Sequence, residues 1–157
     1  MATVLLAACG GGSSEPAGDA PATDAAAPPA PAAATTPAAA PAVDNVETID
    51  GTTLAQFTAD ATKGQRIFLQ CQSCHVRDPG VNRIGPSLAG IVGRAAGTID
   101  GYQYTDANKN SGITWSPEKM FQYLENPQRV VPGTKMAFAG LPNGQDRADL
   151  IAFLQTE

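Results

Sequence analysis

The sequence predicts an all-α domain whose helices are joined by long loops. Apolar residues recur at helical spacing in three segments after residue 57, and the stretches between these segments are rich in Gly and Pro. No run alternates apolar and polar residues as a half-buried strand would. Residues 51–157 are long enough to form one domain with a single core.

The first helix is predicted over residues 58–70, with Ala61, Ile67 and Phe68 as its apolar positions. Gly64 lies inside this helix, where a glycine lowers the stability of the helix by about 1 kcal/mol relative to Ala. An interior Gly is tolerated where another helix crosses closely, so we expect a helix crossing at Gly64.

Two further helices have clear boundaries. One begins at Ser116-Pro117, a cap followed by Pro at the first helical position, and ends before Asn126-Pro127. The last begins near Asn143, and a short turn is predicted over residues 105–110. The apolar face of the last helix consists of Leu150, Ile151, Phe153 and Leu154. A helical domain with this much loop is unusual unless a large apolar cofactor fills its centre.

Composition divides the chain. Residues 1–56 hold six acidic residues and no Lys or Arg, whereas residues 57–157 hold all ten Lys and Arg and the other nine acidic residues. Residues 10–50 are rich in Ala, Pro, Thr and Gly and offer little to bury, which predicts a disordered, extended linker. The predicted organisation is a signal remnant over 1–9, this linker over 10–50 and the folded domain over 51–157.

Residues 1–9 resemble the end of a bacterial lipoprotein signal. Leu6-Ala7-Ala8-Cys9 follows a short apolar start and precedes a Gly/Ser stretch, so Cys9 is the candidate lipidation site. No Lys or Arg precedes Cys9, and the apolar run is short for a secretory signal. We therefore expect that the natural start lies upstream. The alternative is a free thiol at Cys9 in the remnant of an ordinary signal.

His75 is the only histidine, and it closes the sequence Cys71-Gln72-Ser73-Cys74-His75. This is the C-x-x-C-H pattern of c-type haem attachment, in which two thiols add to the haem vinyl groups and the adjoining imidazole binds the iron.

Three other interpretations of this motif compete. A thioredoxin-like redox pair requires a strand before the cysteines and a helix after them, but a helix precedes them and a Pro/Gly loop follows. A structural zinc site requires four ligands, and only Cys71, Cys74 and His75 lie close together. A disulfide between Cys71 and Cys74 is also possible, although it would stabilise this fold little.

Beyond this motif, the chain resembles the class I cytochrome c family along nearly all of residues 57–157. The resemblance is carried by Gly64-x-x-x-Phe68-x-x-Cys71-x-x-Cys74-His75, Ile84-Gly85-Pro86-Ser87-Leu88-x-Gly90-x-x-Gly93-Arg94, Tyr102-x-Tyr104-Thr105-Asp106-Ala107-Asn108-Lys109-Asn110-x-Gly112-Ile113-x-Trp115, Tyr123-Leu124-Glu125-Asn126-Pro127 and Pro132-Gly133-Thr134-Lys135-Met136-x-Phe138-x-Gly140. It implies the class I cytochrome c fold, with helices and long loops around one haem bound covalently through Cys71 and Cys74.

The resemblance also assigns roles to single residues. It implies that His75 and Met136 are the two iron ligands, and that the Pro86 carbonyl orients the imidazole. Tyr104 and Trp115 resemble side chains that bind a buried haem propionate, with Arg94 nearby. Asn108, Tyr123 and Thr134 resemble a polar network beside the methionine sulfur. Gly64 and Phe68 are expected to pack on the final helix near Leu150.

These residues suit a one-electron carrier rather than an enzyme. Two axial protein ligands exclude substrate from the iron, and thioether ligation raises the reduction potential. The resemblance implies transfer between a quinol-oxidising bc complex and a terminal oxidase or photosynthetic reaction centre. We expect a monomer that binds no nucleic acid, on the periplasmic side of a bacterial inner membrane, anchored there by lipid at Cys9 or otherwise soluble in the periplasm. The alternative function is a haem sensor or peroxidase that acts when Met136 dissociates.

One departure from the family concerns docking. Mitochondrial members surround the exposed haem edge with lysines, whereas Leu69, Gln70, Gln72 and Gln128 stand at corresponding places here. The candidates for a basic rim are Lys135, Arg129, Arg83 and Arg77. We therefore expect a weakly charged docking surface.

Overall fold

The computed structural model describes residues 39–156, which contain five α-helices. They are α1 (Ala61–Phe68), α2 (Asp106–Lys109), α3 (Pro117–Glu125), α4 (Pro127–Val130) and α5 (Gly144–Gln155), and a 3₁₀ turn at Leu54–Gln56 precedes them. Within this part of the chain, β pairing is limited to an isolated bridge between Ala95 and Thr114. The predicted all-α class is confirmed.

Helix α1 is shorter than the segment predicted for it. Asp60 caps it by accepting from the backbone N–H groups of Thr62 and Lys63, so regular helix begins three residues after position 58. After Phe68 the chain continues in tight turns that carry it to the cysteines, and the Cys71 N–H donates to the Phe68 carbonyl at 2.8 Å.

The predicted helix crossing at Gly64 is present, between α1 and α5. A Cβ on Gly64 would lie 1.9 Å from the Asp149 carbonyl oxygen, so only glycine permits this approach. One turn on, the Phe68 ring packs on Phe153 with centroids 5.3 Å apart. Phe68 and Leu150 belong to the same buried core.

Helices α3 and α5 begin where the sequence predicts. The Ser116 side chain accepts from the Lys119 N–H, and Pro117 occupies the first turn of α3. Asn143 caps α5 by accepting from Gln145 and Asp146. Asn126 ends α3, as predicted, and also caps the unpredicted α4. The core between these helices consists of Phe68, Ile91, Ala96, Ile113, Trp115, Met120, Phe121, Leu124, Val130, Val131, Leu141, Ala148, Leu150, Ile151 and Leu154.

Residues 42–50, which we call the strap, lie against α3 and α5, although composition assigned them to the linker. Backbone groups of Asn45, Glu47 and Ile49 hydrogen-bond to side chains of α3. The folded part of the chain therefore begins before residue 51. The rest of the predicted linker that precedes residue 39, the signal remnant and Cys9 lie outside the described residues.

Membrane-spanning character is absent from the described helices. None of those between residues 39 and 156 is both long and apolar enough to cross a bilayer.

Candidate haem-binding site

A deep cavity lies between α1, α3, α5 and the loops that join them. It encloses about 1390 Å³ of space between protein atoms, its mouth included. Every side chain predicted to bind the cofactor lines this cavity; they are Cys71, Cys74, His75, Pro86, Arg94, Tyr104, Asn108, Trp115, Tyr123, Thr134 and Met136. The structure thus brings together residues that are up to 65 positions apart in the sequence.

His75 is fixed on one wall by its own turn and by a loop carbonyl. Its backbone N–H donates to Cys71 at 2.9 Å, and its Nδ1 donates to the Pro86 carbonyl oxygen at 2.8 Å. Burial lowers the pKa of His75, and the hydrogen bond to Pro86 opposes this only in part. The imidazole is therefore neutral at pH 7, with Nδ1 protonated and Nε2 available as a metal ligand.

Gly85 is a site residue that the sequence reasoning did not single out. A Cβ at this position would lie 2.3 Å from His75 Cε1 and 2.6 Å from Nδ1. The glycine therefore lets the loop pass directly against the imidazole ring. The signal available in the sequence was its position beside Pro86 in the Ile84-Gly85-Pro86 segment.

Cys71 and Cys74 are free thiols at the edge of the cavity. Burial raises the pKa of the Cys71 thiol to about 11, and Cys74 adds to this. Both lie beside His75 rather than in a four-ligand cluster, and residues 39–156 contain no group of three or more His, Cys, Asp or Glu side chains arranged for a metal ion. The geometry therefore favours neither the zinc site nor the disulfide.

Met136 lines the cavity together with His75 and is held by two neighbours. The Tyr123 hydroxyl donates to its sulfur at 3.6 Å, and its backbone N–H donates to Thr134 Oγ1 at 3.3 Å. Burial raises the pKa of Tyr123, although a hydrogen bond with Thr134 lowers it in part. The phenol therefore stays protonated at neutral pH and remains a donor.

Polar groups gather at another part of the wall. Arg94 donates to the carbonyls of Ala89 at 2.6 Å and Ser87 at 3.0 Å, which fixes its guanidinium beside the cavity. Burial lowers the pKa of Arg94, while Tyr104 raises it. Trp115, which is 7% exposed, also lines the cavity. These donors would pair with the carboxylate groups of a buried ligand.

Asn108 places a buried hydrogen-bond acceptor on the same cavity wall. Its Oδ1 atom is fully buried on the cavity wall and has no hydrogen-bond partner among the residues the structure describes. A buried polar atom of this kind is costly unless a ligand or water satisfies it. The apolar wall, two thiols, two candidate iron ligands and clustered donors fit haem.

Other residues of the cavity could be predicted only in part. The apolar lining comes from Leu88, Ile91, Met120, Leu124, Phe138, Leu150 and Leu154. Helical spacing identified Leu150 and Leu154 as part of the apolar face of the last helix. Tyr102, which donates to the Ile84 carbonyl at 2.8 Å at the exposed rim, was not assigned a role.

Comparisons with known proteins agree with this geometry. The family model for cytochrome c matches residues 61–157. A cytochrome c from Gibberella zeae is 52% identical over 98 residues, covering 61% of this chain and 92% of the relative. Cytochrome c2 from Rhodopila globiformis is 49% identical over 98 residues, covering 62% and 92%. The solved structure of cytochrome cH from Methylobacterium extorquens is similar with a TM-score of 0.60 and 42% identity, covering 63% of this chain and all of that one.

The chain belongs to the cytochrome c family. Its fold is the class I cytochrome c fold, and members bind haem c covalently through cysteines that stand here as Cys71 and Cys74. The family membership supports a single-haem electron carrier. These conclusions confirm the predicted fold class and cofactor.

Proposed function

We propose that this protein carries single electrons from a quinol-oxidising bc complex to a terminal oxidase or photosynthetic reaction centre. The observation that carries the proposal is that His75 and Met136 line the same cavity, where His75 donates a hydrogen bond to Pro86 and Met136 accepts one from Tyr123. His75 and Met136 would together hold the haem iron and leave no open position on it for a substrate. When bound, haem supplies one-electron chemistry, and the thioether raises its potential.

The chain's own residues support transfer in three ways. Pro86 and Tyr123 hold the two candidate ligands in place. Because these hydrogen bonds belong to packed elements, little needs to move between oxidation states. Apolar residues line most of the cavity and exclude water. Arg94 and Tyr104 would offset the charge of a buried propionate.

The mouth of the cavity is mainly apolar, with Lys135 as an exposed cationic side chain among its lining residues. Ile84 lines the cavity and is 75% exposed. Two basic-rim candidates are engaged elsewhere, since Arg129 donates to the Glu47 carbonyl at 3.0 Å and Arg77 lies over the Phe153 ring at 4.4 Å. These contacts support docking through apolar contact more than through charge.

The experiment for the site compares the purified holoprotein with Met136→Ala. The wild type should keep its haem on a denaturing gel and, when oxidised, show the weak red absorption of a sulfur–iron bond. The variant should lose that absorption, have a lower midpoint potential and gain reactivity toward cyanide and peroxide. If wild-type protein already binds cyanide as fast as the variant, the sensor or peroxidase function is the better description. Unchanged absorption and potential in Met136→Ala would exclude Met136 as a ligand.

We also propose that lipid on Cys9 anchors the carrier on the periplasmic side of a bacterial inner membrane. The support is the Leu6-Ala7-Ala8-Cys9 sequence. One acyl chain binds a membrane only marginally, so stable anchoring requires several. With a complete signal upstream, Cys9→Ser should move the cytochrome from the membrane to the soluble periplasmic fraction. Equal membrane retention of both forms would rule out the anchor.

A further inference from the structure

One face of α3 carries a row of polar side chains that are buried although they lie outside the apolar core. Lys119 is 2% exposed, Gln122 is 0% exposed and the Glu125 side chain is 8% exposed. Their spacing of three residues places them on one side of the helix. Lys and Glu are almost never buried unless they are paired, so this face of α3 is built to receive a partner.

The strap, residues 42–50, is that partner. Lys119 Nζ donates to the carbonyls of Ala42 at 3.1 Å and Asn45 at 2.8 Å, and also to Gln122 Oε1. Gln122 Nε2 donates to Asn45 Oδ1 and to the Glu47 carbonyl, both at 2.8 Å. The side chains of the helix thereby satisfy backbone carbonyls of an extended segment.

The end of the strap is held by charge. The Glu125 carboxylate accepts from the backbone N–H groups of Ile49 at 2.6 Å and Asp50 at 2.9 Å. The Asp50 carboxylate forms an ion pair with Arg147 of α5 at 2.6 Å, and Arg147, with a fully buried side chain, also donates to Thr52 Oγ1. Hydrogen bonds between a charged and a neutral group are stronger than neutral ones, and such bonds hold the strap at both ends, from Lys119 at one and to Glu125 at the other.

Arg147 connects the strap to the loop that carries Met136. Its Nη1 donates to the carbonyls of Leu141 at 2.8 Å and Pro142 at 3.1 Å. The Leu141 N–H in turn donates to the Leu124 carbonyl at 2.7 Å. Met136 lies five residues before Leu141, so the strap's ion pair fixes the far end of the ligand loop.

The other face of α3 lines the haem cavity. At 100° per residue, the mean direction of Met120, Tyr123 and Leu124 lies about 150° around the helix from that of the strap-facing row. All three line the cavity, and Tyr123 donates to the Met136 sulfur. A displacement of α3 on its strap side would therefore move Tyr123 and change its contact with Met136, the candidate iron ligand.

We infer that the strap is a clasp that keeps Met136 in place, with Asp50 and Lys119 as its positioning residues. It acts through Arg147 on the end of the Met136 loop and through α3 on Tyr123. This role rests on the proposed function, because it requires Met136 to be an iron ligand.

The test uses ferric holoprotein of the wild type and of four variants, one of which, Asp50→Glu, restores the carboxylate. Asp50→Asn removes the ion pair, and Lys119→Met removes the ammonium at nearly constant shape. The control is Asp100→Asn, which removes the same charge from an exposed residue outside the strap whose side chain forms no hydrogen bond within residues 39–156. We expect Asp50→Asn and Lys119→Met to bind cyanide about three- to tenfold faster, as expected when part of one charge-assisted hydrogen bond is lost. The control should match the wild type.

Each result separates the clasp from the proposed function. Absence of the red sulfur–iron absorption in the wild type would overturn the proposed ligand itself. With that absorption present, equal cyanide rates in all forms would overturn the clasp alone. Faster binding only where the far-ultraviolet helix signal also falls would likewise overturn it, because the strap would then serve folding only. Recovery of the wild-type rate by Asp50→Glu, with helix content constant throughout, would establish the positioning role.

Discussion

The Tyr123 hydroxyl donates a hydrogen bond to the Met136 sulfur at 3.6 Å, and the Tyr123 ring packs on Trp115 with centroids 4.7 Å apart. One side chain therefore touches both the candidate iron ligand and a residue at the polar part of the cavity. Because a donor on the sulfur withdraws electron density from it, this contact favours the reduced state of a bound haem iron.

Tyr123→Phe should consequently lower the midpoint potential while Met136 stays in place. A neutral hydrogen bond contributes about 0.5–1.5 kcal/mol, which corresponds to about 20–60 mV for one electron. Redox titration of the wild-type and variant holoproteins measures this difference in midpoint potential. Tyr102→Phe is the matched control, because that hydroxyl donates to the Ile84 carbonyl at the rim. A higher potential in Tyr123→Phe would mean that the hydroxyl does not act on the sulfur.

Gly85→Ala should disturb the proximal side of the site. The added methyl would lie 2.3 Å from the His75 ring, and such overpacking typically costs about 1–3 kcal/mol. We expect weaker axial ligation, seen in the visible spectrum, and a lower urea midpoint. Gly80→Ala serves as the control, since Gly80 has φ +73° and open space around it. This variant should lower the free energy of unfolding by about 1–2 kcal/mol and leave the visible spectrum unchanged. Identical spectra for both variants would show that the loop around residue 85 moves to accept the methyl group while the His75 imidazole keeps its position.

Much of this architecture could be predicted because its signals are local. The Ser116-Pro117 start, the Asn143 cap and the Gly64 crossing follow from backbone chemistry that a few residues determine. The site residues follow from the motif around His75 and from the resemblance of the loops. Their convergence on one cavity agrees with those assignments.

The strap could not be predicted in the same way. Residues 42–50 have few large apolar side chains, so composition assigns them to a linker. What orders them is a set of hydrogen bonds to buried polar side chains more than 70 positions away, such as Lys119 and Gln122. In the sequence these side chains have the pattern of an exposed helix face. Only the fold shows that their partner is the backbone of the same chain.

The Asp50–Arg147 pair should make stability depend on pH in a defined window. Desolvation would raise the pKa of Asp50, but hydrogen bonds from Arg147 and Thr52 outweigh it and hold that pKa well below its usual range. A lowered folded-state pKa stabilises the protein above the unfolded pKa of about 4, and this contribution is lost as the pH falls below it. The Glu125 carboxylate faces the same guanidinium at 3.8 Å.

We therefore expect wild-type protein to exceed Asp50→Asn in free energy of unfolding from neutral pH down to about pH 5, and this advantage to shrink below about pH 4. Urea unfolding of both holoproteins at several pH values measures the difference. Asp100→Asn, which removes an equal charge from an exposed position that forms no ion pair within residues 39–156, is the control. An advantage that stays constant down to about pH 3 would contradict the ion pair as its source.

Electron transfer by this protein should depend only weakly on ionic strength. Diffusible carriers rely on charge steering, and their rates fall steeply with salt. Here residues 57–157 carry a formal charge of +1, and the three acidic residues of the strap bring residues 42–157 to −2. If residues 10–41 extend as a polyproline helix, they would reach about 100 Å at ~3.1 Å per residue. If lipid on Cys9 anchors the chain as proposed, tethering within such a reach would raise the local concentration of the carrier and reduce its dependence on charge steering.

The measurement is oxidase turnover in membranes over a salt series, with full-length protein, a linker cut to a few residues, and a Gly/Ser linker of the original length. We expect less than about a threefold change between roughly 20 and 300 mM salt, because the net charge of residues 42–157 is small and steering by it is correspondingly weak. Turnover should be lost with the short linker and retained with the Gly/Ser linker, since reach rather than sequence is required. A steep fall with salt, or full turnover with the short linker, would instead identify a conventional diffusible carrier.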